Sequence, residues 1–284
     1  MITPDAWRAQ GDVFTWRGHR IFFRVEGAGE PLLLVHGFPT ASWDWAKLWP
    51  ALTARYRVLA LDMIGFGFSA KPARLPYTMA TQADLQEALL AREGVTRYRL
   101  LAHDYGDTVA QELLARQASA IAKLRGVCLL NGGLFPEAHR ATLLQKLLVT
   151  PLGPLLARLT SFRTFAGAMR RIWGAHPLAD AELRGMWQLA TASDGKHRMP
   201  ELLGYMAERR QHRARWGAAL GDAQVPVRLI DGLLDPVSGA HLVARYRTLV
   251  PRAEVVELAD VGHYPQLEDP DAVAVAALAF FARC

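Results

Sequence analysis

The segment that most constrains the fold of this chain is Leu100-Leu-Ala-His-Asp-Tyr-Gly-Asp107. A short apolar strand runs into a turn that places Ala102 and Gly106 two positions either side of Asp104, and a helical pattern follows over residues 108–116. Small residues are needed where a strand turns sharply into a helix, because larger side chains would collide with the exposed central residue. The pattern predicts a nucleophile elbow with Asp104 at its tip.

The aspartate at this tip favours a particular chemistry. A carboxylate that attacks an acyl group gives a labile anhydride, whereas one that attacks an sp³ carbon gives an ester that water can later cleave. The segment therefore indicates the opening of a C–O or C–halogen bond. The alternative is that Asp104 only caps the following helix, since aspartate is a favoured N-cap residue.

Predicted strands and helices alternate along most of the chain. Two antiparallel strands are expected at 13–16 and 19–25, further strands at 31–35, 56–62, 99–102, 126–130, 227–231 and 254–258, and helices at 42–52, 78–93, 108–116 and 271–282. This order predicts an α/β fold, with a mostly parallel, doubly wound sheet.

Residues 135–220 show helical patterns only, broken by prolines. We expect them to form a helical cap inserted into a core of residues 1–134 and 221–284, above the sheet edge where ligands bind in such folds. The leucines, tryptophans and methionines of the cap indicate an apolar pocket beneath it, although some of them must build the core of the cap itself.

Amino-acid composition and charge indicate which classes of binding partner to expect. The 284 residues are 51% apolar and 21% charged, with a net charge of +6. The one dense basic run, Arg209-Arg210-Gln-His-Arg213-Ala-Arg215, predicts a solvated helix face rather than a nucleic-acid contact. The apolar stretches are too short to span a bilayer, and two isolated cysteines suit a reducing compartment. We expect a cytoplasmic monomer or homodimer with no integral membrane segment and no nucleic-acid partner, acting on a small apolar substrate.

Two further residues complete a candidate catalytic set. Asp235 follows the strand at 227–231, and His263 follows the strand at 254–258. Because the carboxyl ends of parallel strands share one edge, these residues can converge on Asp104. We expect His263 to act as general base for water and Asp235 to orient its imidazole and stabilise the imidazolium.

The segment His36-Gly-Phe-Pro39 supplies a second part of the predicted site. Gly37 permits close approach of the backbone, so the amides of Phe38 and Tyr105 are candidates for an oxyanion hole. The substrate pocket is expected to include His36, Pro39, Trp173 and Trp187. No metal ligand set and no organic cofactor are implied.

Together these motifs resemble the α/β-hydrolase superfamily, in the branch that holds epoxide hydrolases and haloalkane dehalogenases. The resemblance covers nearly the whole chain. It is strongest to the group of mesoderm-specific transcript proteins and their bacterial relatives, through His103-Asp-Tyr-Gly-Asp-Thr-Val-Ala-Gln-Glu-Leu-Leu114, Asn131-Gly-Gly-Leu-Phe-Pro-Glu-Ala-His-Arg140 and His263-Tyr-Pro-Gln-Leu-Glu-Asp-Pro270.

The resemblance does not show whether the group displaced by Asp104 is a halide or an epoxide oxygen. Dehalogenases of this branch usually place a tryptophan after the nucleophile and an asparagine or cap tryptophan as second halide donor, whereas Tyr105 and Phe38 occupy the first two of these positions here. Epoxide hydrolases use two cap tyrosines to protonate the opening oxygen. Tyr205 resembles the second of them by its place shortly before the strand at 227–231, and it is the one tyrosine of residues 135–220, so Tyr105 is the candidate for the second donor. We therefore expect an epoxide hydrolase acting on an apolar substrate, with haloalkane dehalogenation as the alternative and a non-catalytic ligand-binding homologue as a second one.

Overall fold

The sheet of this protein has eight strands, and all but its first two neighbouring pairs are parallel. The computed structural model describes residues 2–284. The strands are β1 (Asp12–Trp16), β2 (His19–Glu26), β3 (Pro31–Val35), β4 (Arg57–Leu61), β5 (Arg97–His103), β6 (Lys123–Leu130), β7 (Val227–Gly232) and β8 (Glu254–Leu258), in the spatial order β1-β2-β4-β3-β5-β6-β7-β8. The predicted mostly parallel α/β fold is confirmed.

Helices connect the strands and form a separate group between β6 and β7. They are α1 (Pro4–Ala9), α2 (Trp49–Thr53), α3 (Met79–Arg92), α4 (Tyr105–Ala115), α5 (Leu143–Leu148), α6 (Gly153–Leu159), α7 (Phe162–Ile172), α8 (Asp180–Thr191), α9 (Gly195–Leu202), α10 (Tyr205–Gln211), α11 (Arg213–Gly221), α12 (Ala240–Leu249), α13 (Pro265–Glu268) and α14 (Pro270–Phe281). Across residues 2–284, no helix combines the length and apolar character needed to cross a membrane.

The helix expected at 42–52 is wrong as a single element. The structure has a short 3₁₀ segment at Ser42–Trp45 and then α2, which begins only at Trp49. Pro50 lies in the first turn of α2. Proline has no amide hydrogen to donate to a preceding turn, so it favours a helix start at this point over a continuous helix.

The centre of the sheet is buried on both faces, which explains the unbroken apolar runs of its strands. Leu33 of β3 pairs with Leu100 of β5, and neither side chain is exposed to solvent. The carboxyl ends of β3, β5, β6, β7 and β8 therefore open at one edge, where the loops that follow them meet.

Helices α5–α11 lie in the segment expected to form the cap. Helix α11 packs along α4, the helix that follows the predicted elbow, and α10 reaches the same region. The division into a core of 1–134 and 221–284 and a cap of 135–220 remains a prediction.

Candidate active site

Asp104 occupies a strained turn between the end of β5 and the start of α4. Its backbone angles are φ 49° and ψ −106°, a region that non-glycine residues rarely adopt. A Cβ atom at Gly106 would collide with the carbonyl oxygen of Val35, so glycine is required there. The Asp104 side chain makes no capping hydrogen bond to α4. The Asp104 carboxylate therefore does not cap α4 and is available to contact other groups.

The two oxygens of the Asp104 carboxylate have different neighbours. Oδ2 accepts a hydrogen bond from the Phe38 amide at 3.0 Å, and Oδ1 lies 3.8 Å from Nε2 of His263. The Tyr105 amide makes no hydrogen bond to this carboxylate in residues 2–284. Of the two expected oxyanion donors, only the Phe38 amide hydrogen-bonds the Asp104 carboxylate here, and the role of both amides remains a prediction.

His263 is held by Asp235. The distance from Nδ1 of the imidazole to Oδ2 of Asp235 is 2.7 Å, and both side chains are buried. Asp235 also accepts hydrogen bonds from the Val237 amide at 2.7 Å, the Ser238 hydroxyl at 2.9 Å and the Asn131 side-chain amide at 3.1 Å. These donors fix the carboxylate in its ionised form and aim it at the imidazole.

The pKa values at this site follow from burial and from the close carboxylates. Burial lowers the pKa of His263, but Asp235 and Asp104 outweigh it and raise the pKa to about 9. Burial raises the pKa of Asp235, but the His263 imidazolium and the hydrogen bonds around the carboxyl hold it below its usual value. At neutral pH, His263 is therefore a cation between two carboxylates.

Hydrogen bonds to two neighbouring segments hold the loop that carries His263. The His103 imidazole donates to the His263 carbonyl oxygen at 2.7 Å, and the His263 amide donates to the Ile172 carbonyl oxygen at 2.8 Å. Glu268 accepts from the amides of Gly262 and Gly174, which joins this loop to the segment after α7. Sequence reasoning missed these positioning residues, together with Asn131, although all except Ile172 and Gly174 lie in or beside the segments that carry the family resemblance.

A small cavity of about 60 Å³ lies in front of Asp104 and His263. Its lining is mostly apolar and comes from the sheet edge and from cap helices α5, α7 and α9: Phe38, Pro39, Asp104, Thr142, Leu144, Gln145, Leu148, Thr160, Phe165, Ala168, Met169, Ile172, Met199, Val237 and His263. A volume of this size corresponds to about two water molecules.

Only Pro39 of the four expected pocket residues lines this cavity. His36 is turned to the backbone, where it bonds the Gly37 carbonyl and the Met63 amide. Trp173 stacks on Tyr264 with ring centroids 5.9 Å apart. Trp187 packs against the ring of Phe165, which lines the cavity, with ring centroids 5.3 Å apart. These three side chains are taken up by packing or backbone contacts that sequence alone does not reveal.

Tyr205 lies beside the nucleophile turn without lining the cavity. It is fully buried, with its ring 5.1 Å from that of Tyr105 and its face 4.4 Å from the Arg209 guanidinium. Its hydroxyl has no hydrogen-bond partner within residues 2–284. Burial, reinforced by the Asp104 charge, raises the pKa of this phenol, which keeps it protonated.

The prediction of a solvated face for the basic run is wrong for Arg209. Its side chain is 1% exposed and donates to the Thr108 hydroxyl at 2.7 Å and to the Asp104 carbonyl at 3.4 Å. Neighbouring Arg210 and Arg213 are solvated. One side of helix α10 faces α4, and Arg209 and Tyr205 lie on that side. A run of charged residues in the sequence does not show which of them faces inward.

Comparison with known proteins shows which chains this one is similar to. A profile of the alpha/beta hydrolase family matches residues 32–277. The mesoderm-specific transcript protein of Mus musculus is 43% identical over 280 residues, covering 93% of this chain and 84% of its own length. The putative hydrolase LipZ of Mycobacterium tuberculosis is 39% identical and covers 98% of both chains. A haloalkane dehalogenase variant from Bradyrhizobium elkanii superposes with a TM-score of 0.79 at 23% identity over 96% of both chains, which shows the shared fold.

Proposed function

This chain belongs to the alpha/beta hydrolase family, and we propose that it is an epoxide hydrolase that opens an apolar epoxide through an ester on Asp104. One observation carries the proposal: the Asp104 carboxylate is held at one oxygen by the Phe38 amide and faces the His263–Asp235 pair with the other. An aspartate in this position suits attack on an sp³ carbon better than attack on an acyl group.

In the first step, Oδ1 of Asp104 attacks the less hindered ring carbon and the carbon–oxygen bond of the epoxide breaks. The released oxygen takes a proton from the Tyr205 phenol. This phenol is a suitable acid because it is protonated at neutral pH and its hydroxyl has no competing partner in the described chain. Tyr205 does not line the cavity in front of Asp104, so this step requires the cap helices to shift and bring the hydroxyl to the substrate.

The second step returns the enzyme to its starting state. The tyrosinate regains its proton from the His263 imidazolium, which leaves a neutral imidazole. Formation of the ester also removes the negative charge of Asp104, one of the groups that raises the pKa of His263. The neutral imidazole then takes a proton from water as it attacks the ester carbonyl, the Phe38 amide donates to the developing oxyanion, and the diol leaves.

The variant His263→Gln separates this proposal from its rivals. It should form the Asp104 ester and fail to hydrolyse it, so intact-protein mass spectrometry after mixing with an apolar epoxide should show a gain equal to the whole epoxide. The double variant Asp104→Ala/His263→Gln is the matched control and should show no gain.

Haloalkane dehalogenation is the second candidate, and Trp173 supplies the observation that favours it. Its indole nitrogen is buried without a hydrogen-bond partner in the described residues, and it would donate to a halide only after a shift that brings it to the cavity at Asp104, which it does not line here. A second donor is harder to find, because the Trp216 indole already donates to Glu112 at 2.8 Å. A mass gain of the alkyl group without the halogen, seen only with a haloalkane, would make this the correct function. No adduct with either class would favour a non-catalytic ligand-binding role.

A further inference from the structure

A cationic depression of about 490 Å³ lies on the cap, between the loop after β6, helix α5 and helix α10. Its charged lining consists of Arg140, Lys146, Arg209 and Arg210, with His139 beside them, and it contains no carboxylate. Within residues 2–284 none of these four cations has a carboxylate oxygen within 4.0 Å. The nearby carboxylate of Glu137 is already bound by Arg213 at 2.6 Å and Arg245 at 2.7 Å.

Arg209 forms the floor of this depression and is its most informative residue. A guanidinium that is 1% exposed normally has a carboxylate partner, because burial of an uncompensated charge is costly. Here the acceptors are neutral: the Thr108 hydroxyl, the Asp104 carbonyl and, at 3.4 Å from Nη1, the ring of His139. Nε2 of His139 is also buried without a partner in the described chain. The chain therefore places a buried guanidinium beneath the depression with no carboxylate bonded to it, and its charge acts on the Asp107 carboxyl only at longer range.

An apolar groove of about 580 Å³ continues from the cationic depression and shares Val149, Met206 and Arg210 with it. The rest of its lining is mostly apolar and includes Leu148, Pro151, Pro154, Pro200 and Leu203. Its acidic member, Glu201, is paired with Arg198 at 2.6 Å. The shared residues make the two depressions one amphipathic surface, with positive charge at one end and apolar side chains at the other.

We propose that this surface binds a single-chain amphiphile with an anionic head, a long-chain carboxylate or alkyl phosphate. The head binds the exposed cations Arg210 and Lys146 above Arg209, and the alkyl chain lies in the groove. Charged donors suit both heads, because hydrogen bonds between ionised groups are the strong ones. The surface shares only Leu148 with the lining of the catalytic cavity, and Arg209 at its floor is the residue that connects it to the Asp104 carbonyl.

Calorimetric titration with dodecanoate and with dodecyl phosphate, each below its critical micelle concentration, tests the proposal. We expect Lys146→Gln/Arg210→Gln to weaken binding of both by roughly ten-fold or more, because two charge-assisted contacts are lost. The double variant Arg55→Gln/Arg125→Gln removes two solvated cations that lie outside the cap, with the same change of net charge, and should bind as the unmodified protein does.

Three further probes define the outcomes. Hexanoate should bind much more weakly than dodecanoate, because its chain fills little of the groove, and dodecanol should bind much more weakly because it lacks the charge. Sedimentation with vesicles of phosphatidylcholine and phosphatidic acid distinguishes a free amphiphile from a lipid surface. The proposal is overturned if the protein binds these vesicles but neither soluble amphiphile, if dodecanol binds as tightly as dodecanoate, or if the cap variant binds as the core variant does.

Discussion

Nε2 of His263 lies 3.8 Å from Oδ1 of Asp104, while Nδ1 of the same ring lies 2.7 Å from Asp235. The first distance exceeds a hydrogen bond and the second is a short one, so Asp235 holds the ring while Asp104 stays free to react. The gap between the ring and Asp104 is where the proposed hydrolysis step needs its water molecule.

The charge of His263 makes folding stability dependent on pH. Its pKa is raised from 6.5 to about 9 in the folded protein, so its stabilising effect is complete below pH 6.5 and is lost as pH rises through 9. Up to about 3 kcal/mol of the free energy of unfolding should disappear over this interval. Denaturant unfolding at pH 6 and pH 9 measures the loss, which should be much smaller in His263→Gln. Equal losses in both proteins would contradict the assignment of this charge.

Replacement of Asp235 should affect turnover far more than replacement of its neighbour Asp231. Asp235→Asn removes the partner of the imidazolium, and we expect kcat to fall by roughly 10³–10⁴-fold. Asp231→Asn is the control, because this buried carboxyl has no hydrogen-bond partner in the described residues and burial raises its pKa, which favours the neutral form that an amide resembles. Turnover of the proposed epoxide substrate by the two variants gives the comparison. Similar losses would show that Asp235 has no special part in the reaction.

Gly37 should be intolerant of a side chain. A Cβ atom there would lie 2.6 Å from Nδ1 of His103 and 3.0 Å from Cβ of Asp104, which would displace the Phe38 amide from the carboxylate. We expect Gly37→Ala to lower kcat by about 10²-fold, the size of effect seen when one oxyanion donor is lost. Gly167→Ala in α7 is the control, since a Cβ atom there meets nothing within 4 Å, and it should stabilise the protein by up to about 1 kcal/mol. Kinetics and unfolding curves of both variants check the prediction, and unchanged turnover in Gly37→Ala would refute it.

The role of Tyr205 can be tested without disturbing a hydrogen bond. Tyr205→Phe removes a buried hydroxyl that has no partner in the described chain, so the fold should be retained. Loss of a general acid should slow formation of the Asp104 ester from an epoxide by roughly 10²–10⁴-fold. Tyr246→Phe removes another buried hydroxyl that lacks a partner, on α12, and should leave the rate unchanged.

Single-turnover mass spectrometry with His263→Gln as the parent measures this rate for both tyrosine variants. If ester formation is equally fast in them, another group protonates the epoxide oxygen. A slow rate in both would instead indicate a general effect of removing buried hydroxyls.

The sequence by itself determined the sheet and the chain order of the candidate site. Residues 31–35 and 254–258 appear as strands with the predicted bounds. The first is an apolar run from the buried centre of the sheet, where burial on both faces leaves a local signal, and the second lies at the sheet edge and is only partly buried. Asp104, Asp235 and His263 could be placed at one edge because parallel strands all end there, and the resemblance to the alpha/beta hydrolases is confirmed.

Only the tertiary structure decided which side chains fill the space around that edge. Arg209 turns inward from a run of solvated cations, Asn131 reaches Asp235 from another loop, and Trp187 packs away from the cavity. The strand pattern depends on neighbours in the chain, and so it is visible in the sequence. These contacts depend on how cap helices and distant loops pack against one another, and no local pattern of residues encodes that packing.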